Sequence, residues 1–213
     1  FSYPNNVIAR FWRAPFAGEA VSRSLGIGKA GPDAFSSKFG ATTDLSGPHE
    51  FSYFWRHWFP QSAFSGRQSD LSCESARNLK KQLGAWQSIA REPLLFKNLL
   101  EVVPNITVLA ELFPTAFFVN IERRDLFVVQ STYECREKYS GSSDLWFGVK
   151  PTCFDRIQRL DDPMSQVVEQ VFWVKNEISA ALDRVGPERT LTISYEEIVS
   201  SPAPILAMLE KRI

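Results

Sequence analysis

Apolar positions along this chain follow two rhythms, one helical and one of short unbroken runs, and the two alternate. Phe51, Phe54, Trp55, Trp58 and Phe59 recur at i, i+3, i+4, i+7 and i+8, which gives a short helix one apolar face. Leu71, Ala76, Leu79, Leu83, Trp86 and Ala90 mark a longer helix, with Asp70 as its N-cap and Pro93 as its stop. Ile8, Phe11 and Trp12 predict a helix from about Val7, just after turn chemistry at Pro4 to Asn6. Ile106 to Phe113 reads as a helix ended by Pro114. Asp125 to about Tyr139 reads as another, with Leu126, Val129, Tyr133 and Cys135 inward. Val167, Val168, Val171, Phe172, Val174, Ile178, Ala181, Leu182 and Val185 mark a long helix ended by Gly186-Pro187. Pro202 opens a last one through Leu206 and Leu209.

The unbroken runs are Leu94–Phe96, Ala116–Ile121 and Thr190–Ser194, each of strand length and bounded by turn or helix-stop signals. Gly26 to Gly47 and Asp144 to Phe154 read as loops. Helices alternating with short strands predict an α/β fold with a doubly wound parallel sheet flanked by helices, in one domain over 1–213. Such sheets bind ligands at the carboxyl ends of their strands. That points to Lys97-Asn98, Arg123-Arg124 and Tyr195-Glu196.

Composition narrows the class. The 213 residues carry 24 Lys+Arg and 24 Asp+Glu, and a hydrophobic fraction of 44% is enough for a sizeable core. A balanced charge argues against a general nucleic-acid binder. Cys73, Cys135 and Cys153 are odd in number and none are at CxxC spacing, so buried free thiols are expected rather than a metal site or a disulfide framework. No apolar run approaches the ~20 residues of a membrane span. The chain begins at Phe1, which leaves a targeting sequence upstream open.

Arg123 follows a strand, and Ser131 lies eight residues on, in the next helix. A guanidinium fork and a hydroxyl near a helix start can hold a phosphate. On spacing alone, a surface ion pair for the arginine and a back-bonded serine are the more ordinary roles.

Here a resemblance enters. Leu112-Phe-Pro-Thr-Ala-Phe-Phe-Val-Asn-Ile-Glu-Arg123, with Ser131 eight residues later, resembles the 3′-phosphate-binding stretch of sulfotransferases that use 3′-phosphoadenylyl sulfate (PAPS). The family has Asp/Asn-Pro after the arginine, where this chain has Arg124-Asp125; the spacing to Ser131 favours Arg123 as the ligand. Lys97-Asn98 is similar to the lysine turn near the sulfuryl group. Trp146-Phe-Gly-Val-Lys-Pro151 is similar to the W-x-G-V-K-P loop of bacterial members. Ile193-Ser-Tyr-Glu-Glu-Ile-Val-Ser-Ser-Pro202 is similar to a Y-E-[DE]-[LI] stretch ending in proline. The four agree in order across Lys97 to Pro202.

The resemblance implies a P-loop-like sheet and transfer of a sulfuryl group from PAPS to a hydroxyl or amine, with adenosine 3′,5′-bisphosphate as product. It implies Arg123, Ser131 and Lys150 as donor-binding residues, and Lys97 as the group that neutralises charge at the sulfuryl transfer. The acceptor is a small molecule or carbohydrate. A cytoplasmic setting follows from the bacterial-type loop, and a Golgi-type lumen stays open. The general base in the family is a His or a carboxylate. His49 and Glu50, before the aromatic helix, are the candidates, and His57 within that helix is structural.

One element of the family is not in the text: the first strand and the phosphosulfate loop. Gly26-Ile-Gly-Lys29 has no apolar strand before it and Gly31-Pro32 after it, so it is not that loop. The loop is expected upstream of Phe1. Two other functions stay open. A P-loop kinase-like phosphotransferase would need GxxxxGK[ST] and a magnesium-binding Asp. A non-catalytic module would bind adenosine 3′,5′-bisphosphate or a partner.

Overall fold

The computed structural model describes residues 1–27, 44–60, 66–98 and 100–212. The chain divides into two compact units, Phe1–Phe64 with Gln68–Pro104, and Ser65–Arg67 with Asn105–Ile213.

The first unit holds a 3-10 turn at Ile8–Phe11 and helices α1 (Pro15–Ser24), α2 (Ser52–Trp58) and α3 (Cys73–Ala90). The aromatic stripe forms the core. Phe51, Phe54, Trp55, Phe59 and Trp86 are all buried, and Phe96 sets its ring edge-on to Trp55 and Trp86 at 5.0 and 5.5 Å. Trp55 and Trp58 are thus packing residues. Trp86 is fully buried, so its truncation to alanine costs roughly 3–5 kcal/mol. α1 packs on α3, an element the apolar pattern did not announce. Its buried face is Pro15, Gly18, Glu19 and Ser22, with Phe16 exposed, so no apolar stripe exists to read. Glu19 takes the place of one by accepting from the Ser2 hydroxyl, the Arg23 guanidinium and the Trp86 indole N–H.

Three expectations are corrected in this unit. α3 is capped by Ser72, not Asp70: the Ser72 hydroxyl accepts the Ser75 N–H at 3.1 Å from an extended backbone, the geometry a cap needs. Leu94–Phe96 is not a strand. Leu94 makes one isolated parallel bridge to Ser2, flanked by Ser2 N–H to Pro93 O and Leu95 N–H to Ser2 O. With Pro93 lacking an N–H and Phe96 drawn into the aromatic core, the ladder does not extend. Cys73 is exposed rather than buried, because it opens the helix instead of lying on its inner stripe. Most of the expected Gly26–Gly47 loop, residues 28–43, lies outside the described residues.

The second unit runs α4 (Ile106–Leu112), β1 (Phe118–Glu122), α5 (Asp125–Ser140), α6 (Phe154–Ile157), α7 (Pro163–Val185), β2 (Thr190–Ser194), α8 (Tyr195–Ser200) and α9 (Pro202–Glu210). β1 and β2 pair in parallel, from Phe118 opposite Thr190 to Glu122 opposite Ser194. Two parallel strands need a crossover, and α5 to α7 supply it. α4 and α5 both pack on α7. Asp162 caps α7 through the Met164 and Ser165 N–H groups, and Gly186, at φ +94°, ends it. Among the described residues the protein is therefore mixed helix and strand, mostly helical, with a two-stranded parallel sheet. α5 is turned differently from its expected face: Leu126 is exposed, and Cys135 and Arg136 are the buried residues. Val168 and Phe172 of α7 are likewise exposed. Cys153 is half-buried. No helix among the described residues is long and apolar enough to cross a membrane.

Candidate functional site

Parallel pairing brings the carboxyl ends of β1 and β2 side by side. Arg123 leaves the first strand, and Tyr195 and Glu196 leave the second. Together with Phe127, Val199 and Ser200 they line a cleft of ≈ 270 Å³. That volume is below the ~300 Å³ lower end of drug-sized pockets and suits a phosphate and sugar better than a whole nucleotide. The Arg123 guanidinium lies between two rings, 5.2 Å from the Phe127 centroid and 5.1 Å from that of Tyr195. It has no carboxylate partner among the described residues. A cation held by aromatic faces and lacking an acid is set up to receive an anion.

The backbone beneath that cation is fixed from both sides. Lys175 of α7 donates to the Arg123 carbonyl at 3.2 Å and pairs with Asp125. Glu196 accepts the Ser194 hydroxyl at 2.9 Å and the Arg124 N–H at 3.4 Å. Its own backbone N–H, first, and then the Ser194 hydroxyl hold its carboxyl below the usual range. Glu196 is thus an anchor, and Arg124 is the residue that leads into α5.

Ser131 is not part of the cleft. It sits one turn beyond Phe127 on α5, half-buried, and its hydroxyl bonds the Cys135 thiol. Burial pushes that thiol up, and the Ser131 bond works against it. Lys150 lies on the loop before α6, its ammonium 4.2 Å above the Phe154 ring. No hydrogen bond or ring contact joins Ser131 or Lys150 to Arg123 among the described residues.

In the first unit, Lys97 and Glu50 come together, Nζ to Oε1 at 3.6 Å. Asn98 brings them there. Its Oδ1 accepts the Glu101 and Val102 N–H groups, and its Nδ2 donates to the Glu50 carbonyl and to the buried Glu101 carboxylate. Both partners of the pair are largely exposed, so the attraction itself is worth less than about 1 kcal/mol. His49 lines a separate open cleft of ≈ 580 Å³ with Arg10, Trp12 and Tyr53. Its Nδ1 accepts the Phe51 N–H at 2.8 Å. Burial lowers its pKa, opposed by the charge of Glu50. The neutral ring therefore carries its proton on Nε2 and offers a donor, while its one lone pair is already taken. Phe51 holds this turn at φ +60°, a conformation that costs a bulky residue energy.

Sequence reasoning missed Phe127, taken as part of a helix whose Leu126 faced inward. It also missed Arg136, which the apolar pattern of α5 does not single out. The signal for Arg136 was on another helix: Gln166 and Gln170 stand at i, i+4 beside the apolar Val167 and Val171, where amides are out of place without a partner. No cluster of His, Cys, Asp and Glu among the described residues has metal-site geometry. No family model, curated protein or solved structure matches the chain.

Proposed function

We propose that the chain belongs to the PAPS-dependent sulfotransferases and that the cleft at Arg123 takes the 3′-phosphate of the donor. One observation carries this assignment: an arginine with no acid partner among the described residues, at the carboxyl end of a parallel strand, held between Phe127 and Tyr195. The four-part sequence resemblance from Lys97 to Pro202 supports it independently. The parallel β1–β2 pair with its helical crossover agrees with a larger, P-loop-like doubly wound sheet.

In this scheme the donor enters as a bisphosphorylated nucleotide carrying a sulfuryl group. Arg123 binds its 3′-phosphate through a bidentate fork, and Lys150 adds positive charge. An acceptor hydroxyl or amine attacks the sulfur in line, the S–O bond to the phosphate breaks, and adenosine 3′,5′-bisphosphate leaves. Glu50 takes the acceptor's proton, because the His49 lone pair is committed to Phe51. Lys97 neutralises charge that builds on the transferring group. His49 acts as a donor through Nε2.

The test is transfer of sulfate from sulfur-labelled PAPS to a panel of hydroxylated and amino compounds, using the full-length protein. Labelled product that disappears with Arg123→Ala supports the assignment. Failure of the protein to consume donor with any acceptor, together with no binding of adenosine 3′,5′-bisphosphate, overturns it.

A further inference from the structure

Arg136 is fully buried, and among the described residues no carboxylate is one of its hydrogen-bond partners. Its Nη1 donates to the Gln166 side-chain carbonyl at 2.9 Å and to the Ser143 carbonyl at 3.3 Å, and its Nη2 donates to Gln170 Oε1 at 3.1 Å. Its guanidinium carbon lies 4.8 Å from the Trp146 ring centroid, and its Nε has no acceptor among the described residues. A charge taken out of water against neutral partners is expensive, and an apolar residue of similar volume would serve stability as well or better. What the cation does to its partners is therefore the informative part.

Arginine only donates. It forces both glutamines to turn their oxygens towards it, which leaves their NH₂ groups facing away. Gln170 then donates from Nε2 to the Phe147 carbonyl at 2.8 Å and to the Val149 carbonyl at 3.0 Å. Gln166 donates to the Leu160 carbonyl at 2.7 Å. The two carbonyls held by Gln170 flank Gly148, whose φ of +87° suits glycine. The far end of the same loop is tied by Thr152, whose N–H and hydroxyl both donate to Glu177. Lys150 stands between these two anchors.

We infer that Arg136 and Gln170 are positioning residues for donor binding: Arg136 sets the orientation of the Gln170 amide, and that amide clamps the loop that presents Lys150. This rests on the assignment of Lys150 to the donor, and it adds residues that the sulfotransferase resemblance does not supply. Gln170 is the informative position because its two ends do different things. Gln170→Glu keeps an acceptor for Arg136, now as an ion pair, and removes the donor to Phe147 and Val149.

The experiment is calorimetric titration of the full-length protein with adenosine 3′,5′-bisphosphate, with thermal melting and PAPS kinetics alongside. For Gln170→Glu the expected result is a melting temperature at or above that of the wild type, with affinity reduced about tenfold, the scale of one or two lost buried hydrogen bonds. The KM for PAPS rises in the same proportion, and kcat at saturation stays within about twofold. In a Lys150→Ala background the same change has no further effect on affinity. Gln170→Met, apolar and similar in volume, carries the same expectation for affinity if the glutamate variant does not fold. Wild-type affinity in the Gln170 variants, or a loss that adds in full to that of Lys150→Ala, overturns the inference while leaving the donor assignment standing. A wild-type protein that binds no nucleotide overturns the donor assignment, and this inference with it.

Discussion

The guanidinium of Arg123 lies 5.1 Å from the ring of Tyr195, one residue past the end of each of two parallel strands. The ring limits the directions the arginine can take, and it excludes water from one face of the charge. Tyr195→Phe keeps the ring and should bind adenosine 3′,5′-bisphosphate within about twofold of the wild type. Tyr195→Ala loses the contact, worth about 0.5–1 kcal/mol at a partly exposed site, so affinity falls roughly two- to fivefold. Isothermal calorimetry on both variants checks this.

Glu50 is assigned the acceptor's proton and Lys97 the charge of the transferring group. Glu50→Gln removes the base without changing shape, and kcat should fall about 10²–10⁴-fold with nucleotide affinity unchanged. His49→Asn should have a much smaller effect on kcat. Steady-state assays with a single acceptor distinguish the two, and a larger loss of kcat in His49→Asn than in Glu50→Gln would assign the proton to His49.

His49 gives the first unit a pH dependence. Its folded pKa is lowered from its ordinary 6.5, chiefly by burial. The unfolded chain therefore takes up the proton first on acidification, and stability falls as pH drops from about 6.5 through the folded pKa. Above 6.5 both states are neutral at this residue and its contribution is flat. Urea melts across that window should show a smaller acid loss in His49→Gln than in the wild type.

Gly66 has φ +66°, and a Cβ there would lie 1.9 Å from the Lys150 carbonyl oxygen. Backbone must move to relieve that contact. Gly66→Ala should cost at least about 2 kcal/mol, combining the left-handed conformation with the displacement. Gly26→Ala, at the same φ with nothing within 4 Å among the described residues, should cost only about 1 kcal/mol. Chemical denaturation measures both. The Gly66 variant should also bind nucleotide more weakly, because the displaced carbonyl belongs to Lys150.

The sequence pattern carried the second unit better than the first. Thr190–Ser194 was legible as a strand to the residue, and Ala116–Ile121 began two residues and ended one residue ahead of the observed strand, because both are apolar and β-branched in a setting bounded by helices. Leu94–Phe96 has the same look, but its residues serve a bridge and an aromatic core. Period alone does not separate those fates. α1 was invisible because its inner face is glycine, serine and glutamate. At the cleft, Arg123, Tyr195 and Glu196 followed from the strand-end rule. Phe127 and the Arg136 pair of glutamines did not, since both depend on the rotation of a helix about its axis. Lys97 and Glu50 were named for separate reasons, and it is Asn98, folded back on Glu101, that joins them.

The central claim is that Arg123 holds a 3′-phosphate, and comparing two nucleotides tests it most directly. Wild type and Arg123→Ala are each titrated with adenosine 3′,5′-bisphosphate and with adenosine 5′-monophosphate, which differ only in that phosphate. The wild type should prefer the bisphosphate by about tenfold or more, the value of a charge-assisted bidentate contact, and Arg123→Ala should show no preference. Equal binding of the two nucleotides by the wild type, or a preference that survives the loss of Arg123, would contradict the assignment.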